Sequence, residues 1–143
     1  MNMRKFFCGK NFKLLALVLY ICLVFIITLV VYRGSPYAAL ELNPIASYIR
    51  ALNAPPHLAR IEIRNAVLNV LMFTPFGFLP PLVWRKFSSP IYLLPTAFAF
   101  TLTIELTQLI TGRGVFSTED LLHNTLGAGI GLLSYTIFIK NKR

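Results

Sequence analysis

Glu105 is the only charged residue in the apolar stretch 90–111. That stretch is long enough to cross a bilayer, which takes about 20 residues. A carboxylate at such depth costs about 2.5–3.5 kcal/mol on insertion scales, so it needs a partner, a proton or a wet cavity. Thr101 and Gln108 fall on the same helical face. Two further polar pairs have the same spacing: Asn65 with Asn69, and Asp120 with Asn124. Arg113 lies between Glu105 and Asp120 in the chain and is the expected counter-ion of either. Carboxylates, amides and a guanidinium in an apolar setting suit recognition of a polar head group, or acid/base and proton-carrying chemistry.

Apolar runs must position these groups. Four transmembrane helices are expected, at roughly 14–32, 66–84, 90–111 and 121–139. The fold class is therefore all-α, a polytopic membrane bundle, with residues 1–143 forming one domain. The second span contains Pro75 and Gly77, where a kink is expected because proline lacks an N–H and crowds the preceding turn. In the fourth span, Gly127 and Gly131 make a GxxxG spacing, which brings helices close. Asn43 and Pro44 look like an N-cap and a first helical residue. Ile45, Tyr48, Ile49 and Leu52 then share one face, so a short interfacial helix is expected in the first loop, ended by Ala54-Pro55-Pro56. The segment 111–118 reads as a tight turn leading to Ser117 or Thr118 as the cap of the fourth span.

Charge placement sets the expected topology. Nine Lys/Arg flank the spans on the side of the termini and five on the other. The excess favours both termini in the cytoplasm. Asn65, Gln108, Arg113, Glu119, Asp120, His123 and Asn124 then share one depth near the outer face, with Asn69 and Glu105 about one turn deeper. The acidic pair at 119–120 suits the positive end of the fourth helix.

The 143 residues carry a net charge of +9 and are 56% hydrophobic. No compact basic stripe interleaved with aromatics accompanies the charge, so nucleic acid is not an expected partner. Cys8 and Cys22 form neither a disulfide framework nor a metal spacing. His123 with scattered carboxylates is not a metal signature, and no cofactor is implied. Taken singly, Asn69 reads as interhelical glue, Asp120 as a cap and His123 as an interfacial side chain.

Two stretches, taken together, resemble the VanZ-like membrane family. One runs from Asn69 through Phe73, Pro75, Phe76 and Gly77 to Pro80; the other joins Glu105 and Gln108 through Arg113 to Asp120, Asn124, Gly127 and Gly131. Leu42-Asn43-Pro44-Ile45 is also similar to a family feature. Many members carry an Asp shortly after the Arg, where this chain has Ser117 and then Glu119. The family is named for a protein giving low-level resistance to the glycopeptide teicoplanin. The resemblance implies a small polytopic protein of a bacterial plasma membrane, acting where lipopeptide antibiotics and cell-wall precursors meet. Expected partners are membrane lipids and a lipid-linked precursor or glycopeptide.

Several functions fit these residues. In the first, Asn69, Glu105, Gln108, Arg113, Asp120 and Asn124 form a binding recess, with Arg113 on an anionic head group. In the second, Glu105 or Asp120 is the acid/base of an intramembrane enzyme acting on lipid, although no nucleophile motif supports one. A third is proton-coupled transport by Glu105, which needs a dimer through the Gly127/Gly131 face. A fourth is a structural subunit of a larger complex.

Overall fold

The structure, a computed structural model, describes residues 9–31 and 39–142. Cys8, Arg33 and the terminal basic residues Arg4, Lys5 and Arg143 lie outside the described residues. Five α-helices dominate the fold: α1 Lys10–Ile26, α2 Ala46–Asn53, α3 Pro56–Val83, α4 Pro90–Ile110 and α5 Thr118–Phe138. Three segments are long and apolar enough to cross a membrane among the described residues: Lys10–Leu29, Pro56–Val83 and Pro90–Ile110. α5 is as long as α4, at 21 residues, and carries two acids in its first turn.

Packing follows residue size. α3 and α5 form the most extensive helix pair. They run parallel, because Gly127 meets Val70 and Gly131 meets Thr74 one turn further along both helices. A Cβ on Gly127, Gly131 or Gly77 would collide with the carbonyl of Val70, Thr74 or Ala128 respectively. The helices approach this closely because hydrogen alone separates the backbones. The small-residue face is therefore filled by α3 within the chain, the close helix packing that the GxxxG spacing suggested, and is not free for the dimer that proton-coupled transport would need. Around it, Val24, Phe73, Phe76, Ala97, Ile104 and Ala128 make one apolar cluster, with Phe76 stacked on Phe100 at 5.1 Å between centroids. The opposite face of α5 exposes Leu122, Leu126, Ile130, Leu133 and Ile137, a stripe left largely uncovered by the other described residues.

Hydroxyls along the helices are satisfied locally. Thr74, Thr96, Thr103, Thr107, Thr125 and Thr136 each donate to the carbonyl four residues back. In apolar surroundings every polar group needs such a partner.

The structure departs from the sequence reading at three places. α3 begins at Pro56, about ten residues before the expected span, because Pro55-Pro56 ends α2 and also starts α3, with Pro56 at a position where the missing N–H costs nothing. α3 stays α-helical through Pro75, Pro80 and Pro81. α2 begins at Ala46 rather than at Pro44, and Asn43 is not its cap: its Oδ1 accepts from the Ile45 N–H, a local turn that competes with the helix. Finally, Val115–Ser117 is not only a turn. It forms strand β2, paired in parallel with β1, Ala39–Glu41, in the register Leu40 to Phe116 and Glu41 to Ser117. Gly112, with φ of 63°, turns the chain out of α4 toward this strand.

Candidate functional site

Four helices and the short sheet meet at one end of the bundle, opposite the end that carries Lys10, Lys13, Lys86 and Lys140. There they enclose a cavity of about 340 Å³. α4 delivers Glu105 and Gln108, α5 delivers Glu119, Asp120, His123 and Asn124, and α3 delivers Glu62, Asn65 and Asn69. β1 and α2 close the mouth with Glu41, Ser47 and Arg50, while Ile27, Leu68, Met72 and Ile104 supply apolar wall. Parallel α3 and α5 and antiparallel α4 make this possible, since residues far apart in sequence reach one depth.

Within the cavity several polar residues have defined partners. Ser117 N–H donates to Glu105 Oε2 at 3.0 Å, and Ser117 Oγ accepts from the Asp120 N–H at 3.4 Å. Ser117 thus caps α5, as its residue type allows. Asn69 Nδ2 donates to Asp120 Oδ1 at 2.6 Å, a bond between α3 and α5. Asn124 Nδ2 donates to Thr101 Oγ1 at 2.7 Å, joining α5 to α4. Gln108 Nε2 donates to the Thr28 carbonyl at 3.0 Å. That carbonyl lies in a π-helical turn, Ile27–Val31, which ends α1.

Burial is deep. Glu105, Glu119 and Asn124 are each 3% exposed. Two side-chain atoms of cavity residues, Asn124 Oδ1 and His123 Nδ1, are buried with no hydrogen-bond partner among the described residues. Such orphans are costly in a dry interior and signal a missing partner. Among the described residues no group of three His, Cys, Asp or Glu converges closely enough to hold a metal ion.

α2 lies across the cavity as a cover. Glu119 accepts from the Ser47 N–H at 2.9 and 3.2 Å, capping α2 from another helix. Tyr48 Oη and His123 Nε2 lie 2.6 Å apart. Arg50 donates to Glu41 at 2.8 and 2.9 Å and to Glu62 at 3.0 Å. Those hydrogen bonds, Glu41 first, raise the Arg50 pKa above its ordinary value and fix it as a cation.

Asn69, Glu105, Gln108, Asp120 and Asn124 therefore line one cavity, and Arg113 does not. Arg113 is exposed and donates from Nη1 to the Leu29 carbonyl at 2.6 Å. It pairs with neither Glu105 nor Asp120, because Gly112 turns the chain away and Ser117 takes the position beside Glu105. Among the described residues the guanidinium at the cavity belongs to Arg50, which sequence reasoning passed over as part of an interfacial helix. Glu41 and Glu62 were missed too. Their signal was compositional: the chain has only five acidic residues, and all five line this cavity.

The VanZ/LLP1 family profile matches residues 14–139. Protein VanZ of Enterococcus faecium is 34% identical over 96 residues, covering 64% of this chain and 56% of that protein. The matched region thus spans little more than half the length of that relative. No solved structure is similar.

Proposed function

The chain belongs to the VanZ/LLP1 family, and from that membership and the cavity we propose that it is a membrane-embedded binding protein. Its ligand is a polar-headed molecule of the cell envelope, a lipid-linked precursor or a lipoglycopeptide. By holding or displacing that molecule it modulates events at the outer membrane surface, with low-level glycopeptide resistance as one consequence. The observation that carries this reading is the convergence of Asn69, Glu105, Gln108, Asp120 and Asn124, from three helices, on one cavity.

In this reading the whole chain is one domain with four spans. α5 is the fourth: 21 residues cover roughly 30 Å at about 1.5 Å each, the thickness of a bilayer core, and its exposed apolar stripe faces lipid. Both termini lie in the cytoplasm and the cavity opens toward the outer leaflet, as the Lys/Arg distribution favours.

Binding to the purified protein tests the proposal. Full-length chain in nanodiscs should bind a lipid-linked precursor or a lipoglycopeptide, and Glu105→Gln and Asn124→Ala should each weaken binding. If both variants fold and neither changes binding or resistance, the cavity is not the site.

A further inference from the structure

The +9 chain has 14 basic residues, yet the cavity collects all five of its carboxyl groups. Among the described residues a single guanidinium, that of Arg50, accompanies them, and these six groups sum to a formal −4 with all five carboxyls ionised. Arg50 is spent on the two carboxylates at the mouth, Glu41 and Glu62. Glu105, Glu119 and Asp120 lie deeper and have no basic side chain within ion-pair distance among the described residues. Arg60, Arg64 and Arg113 sit at the same end of the bundle but are exposed and outside the cavity. Carboxylates withdrawn from water without counter-ions are poorly stabilised, and a cation brought by a ligand removes that penalty.

A second observation points the same way. Asn124 Oδ1, buried at the cavity, is a hydrogen-bond acceptor with no donor among the described residues. Ser117 and Asn69 each use one oxygen of Glu105 and Asp120, and the other oxygen of each carboxylate has no donor among the described residues. At Glu105, Asp120 and Asn124 the unpartnered oxygens are acceptors, so this part of the cavity is short of donors among the described residues. The carboxylates are also too dispersed to close on one metal ion. A group with several N–H donors and a positive charge matches this arrangement, because an ammonium carries three donors and no acceptor. The apolar wall of Ile27, Leu68, Met72 and Ile104 fits the alkyl part that follows.

We infer that the cavity binds the ammonium group of an amine-bearing amphiphile, held by Glu105, Asp120 and Asn124. This rests on the binding reading above and names its ligand class; it replaces the anionic head group that Arg113 was expected to hold. The amine can come from a lipid head group or from an amphiphile arriving from outside the bilayer.

Calorimetry on the purified full-length chain tests the inference, with octylamine, octanoate and octanol as probes. Octylamine should bind at least tenfold tighter than the other two. Glu105→Gln and Asp120→Asn, each checked for folding by its thermal transition, should weaken it at least tenfold, and Lys140→Ala at the opposite end should not. Native mass spectrometry with chain-matched lipids separates the sources. Retention of lysyl-phosphatidylglycerol over phosphatidylglycerol and phosphatidylcholine assigns the amine to a lipid; octylamine binding without that preference assigns it to an amphiphile from outside. Tighter binding of octanoate, or octylamine binding unchanged in both carboxylate variants, overturns the inference. If a lipid-linked precursor or lipoglycopeptide still binds through these residues, the binding reading survives without it; if nothing binds, both fall.

Discussion

Glu119, in the first turn of α5, accepts hydrogen bonds at 2.9 and 3.2 Å from the backbone N–H of Ser47, 72 residues earlier in the chain and in the first turn of α2. One carboxylate therefore serves two helix starts. It lies at the positive end of its own helix and fills an orphan donor of another. The short helix is positioned less by its own eight residues than by this bond, the Tyr48–His123 contact and the Arg50 ion pairs.

Glu119→Ala is expected to release α2. A hydrogen bond to a charged group contributes about 1.5–3 kcal/mol, and every 1.4 kcal/mol is about tenfold in an equilibrium. Hydrogen exchange should therefore quicken about tenfold or more at the amides of α2, and stay slow in the α3–α5 contact. Unchanged protection at Ser47 would contradict the capping role.

Arg50→Ala should act more gently. Its ion pairs are partly exposed, and such pairs contribute about 0.2–1 kcal/mol. The thermal midpoint should hardly move while the cavity mouth becomes more negative and more open. Arg113→Ala, at a residue outside the cavity, should leave ligand binding intact. Loss of binding in the Arg113 variant alone would return that residue to the site.

Gly131→Ala should lower the unfolding midpoint in detergent, because a new Cβ meets the Thr74 carbonyl and overpacking costs about 1–3 kcal/mol. Gly129→Ala is the control. Its Cβ meets only Leu94 Cδ2 at 3.9 Å, so the helix-propensity gain of about 1 kcal/mol should keep stability or raise it. Equal effects at both positions would refute the close approach of α3 and α5.

These contrasts show what the amino-acid order reveals and what it hides. The long helices were legible because apolar runs with basic ends have few alternatives, and the in-helix spacing put Glu105, Gln108, Asp120 and Asn124 on inward faces. The β1–β2 pair was not legible, since three-residue strands beside Gly112 and Gly114 look like turn. Nor was the pairing of Arg50, because Glu41 and Glu62 reach it from elements flanking α2 and neither lies on it. Charge placement along the chain suggested Arg113 as a counter-ion; only the direction of the chain after Gly112 shows that it leaves.

Topology is checked by labelling. In a background of Cys8→Ser and Cys22→Ser, a cysteine at Asn53 should react with an impermeant maleimide on intact cells. A cysteine at Asn141 should react only after permeabilisation. The reverse pattern would place the cavity at the cytoplasmic face.

An experimental structure that retains bound lipids tests the central claim most directly. It should show Glu105, Asp120 and Asn124 bounding one enclosed space, with non-protein density within about 3.2 Å of Asn124 Oδ1. Should those three side chains point to separate lipid surfaces, or should protein fill the space between them, there is no binding cavity and the proposed function is wrong.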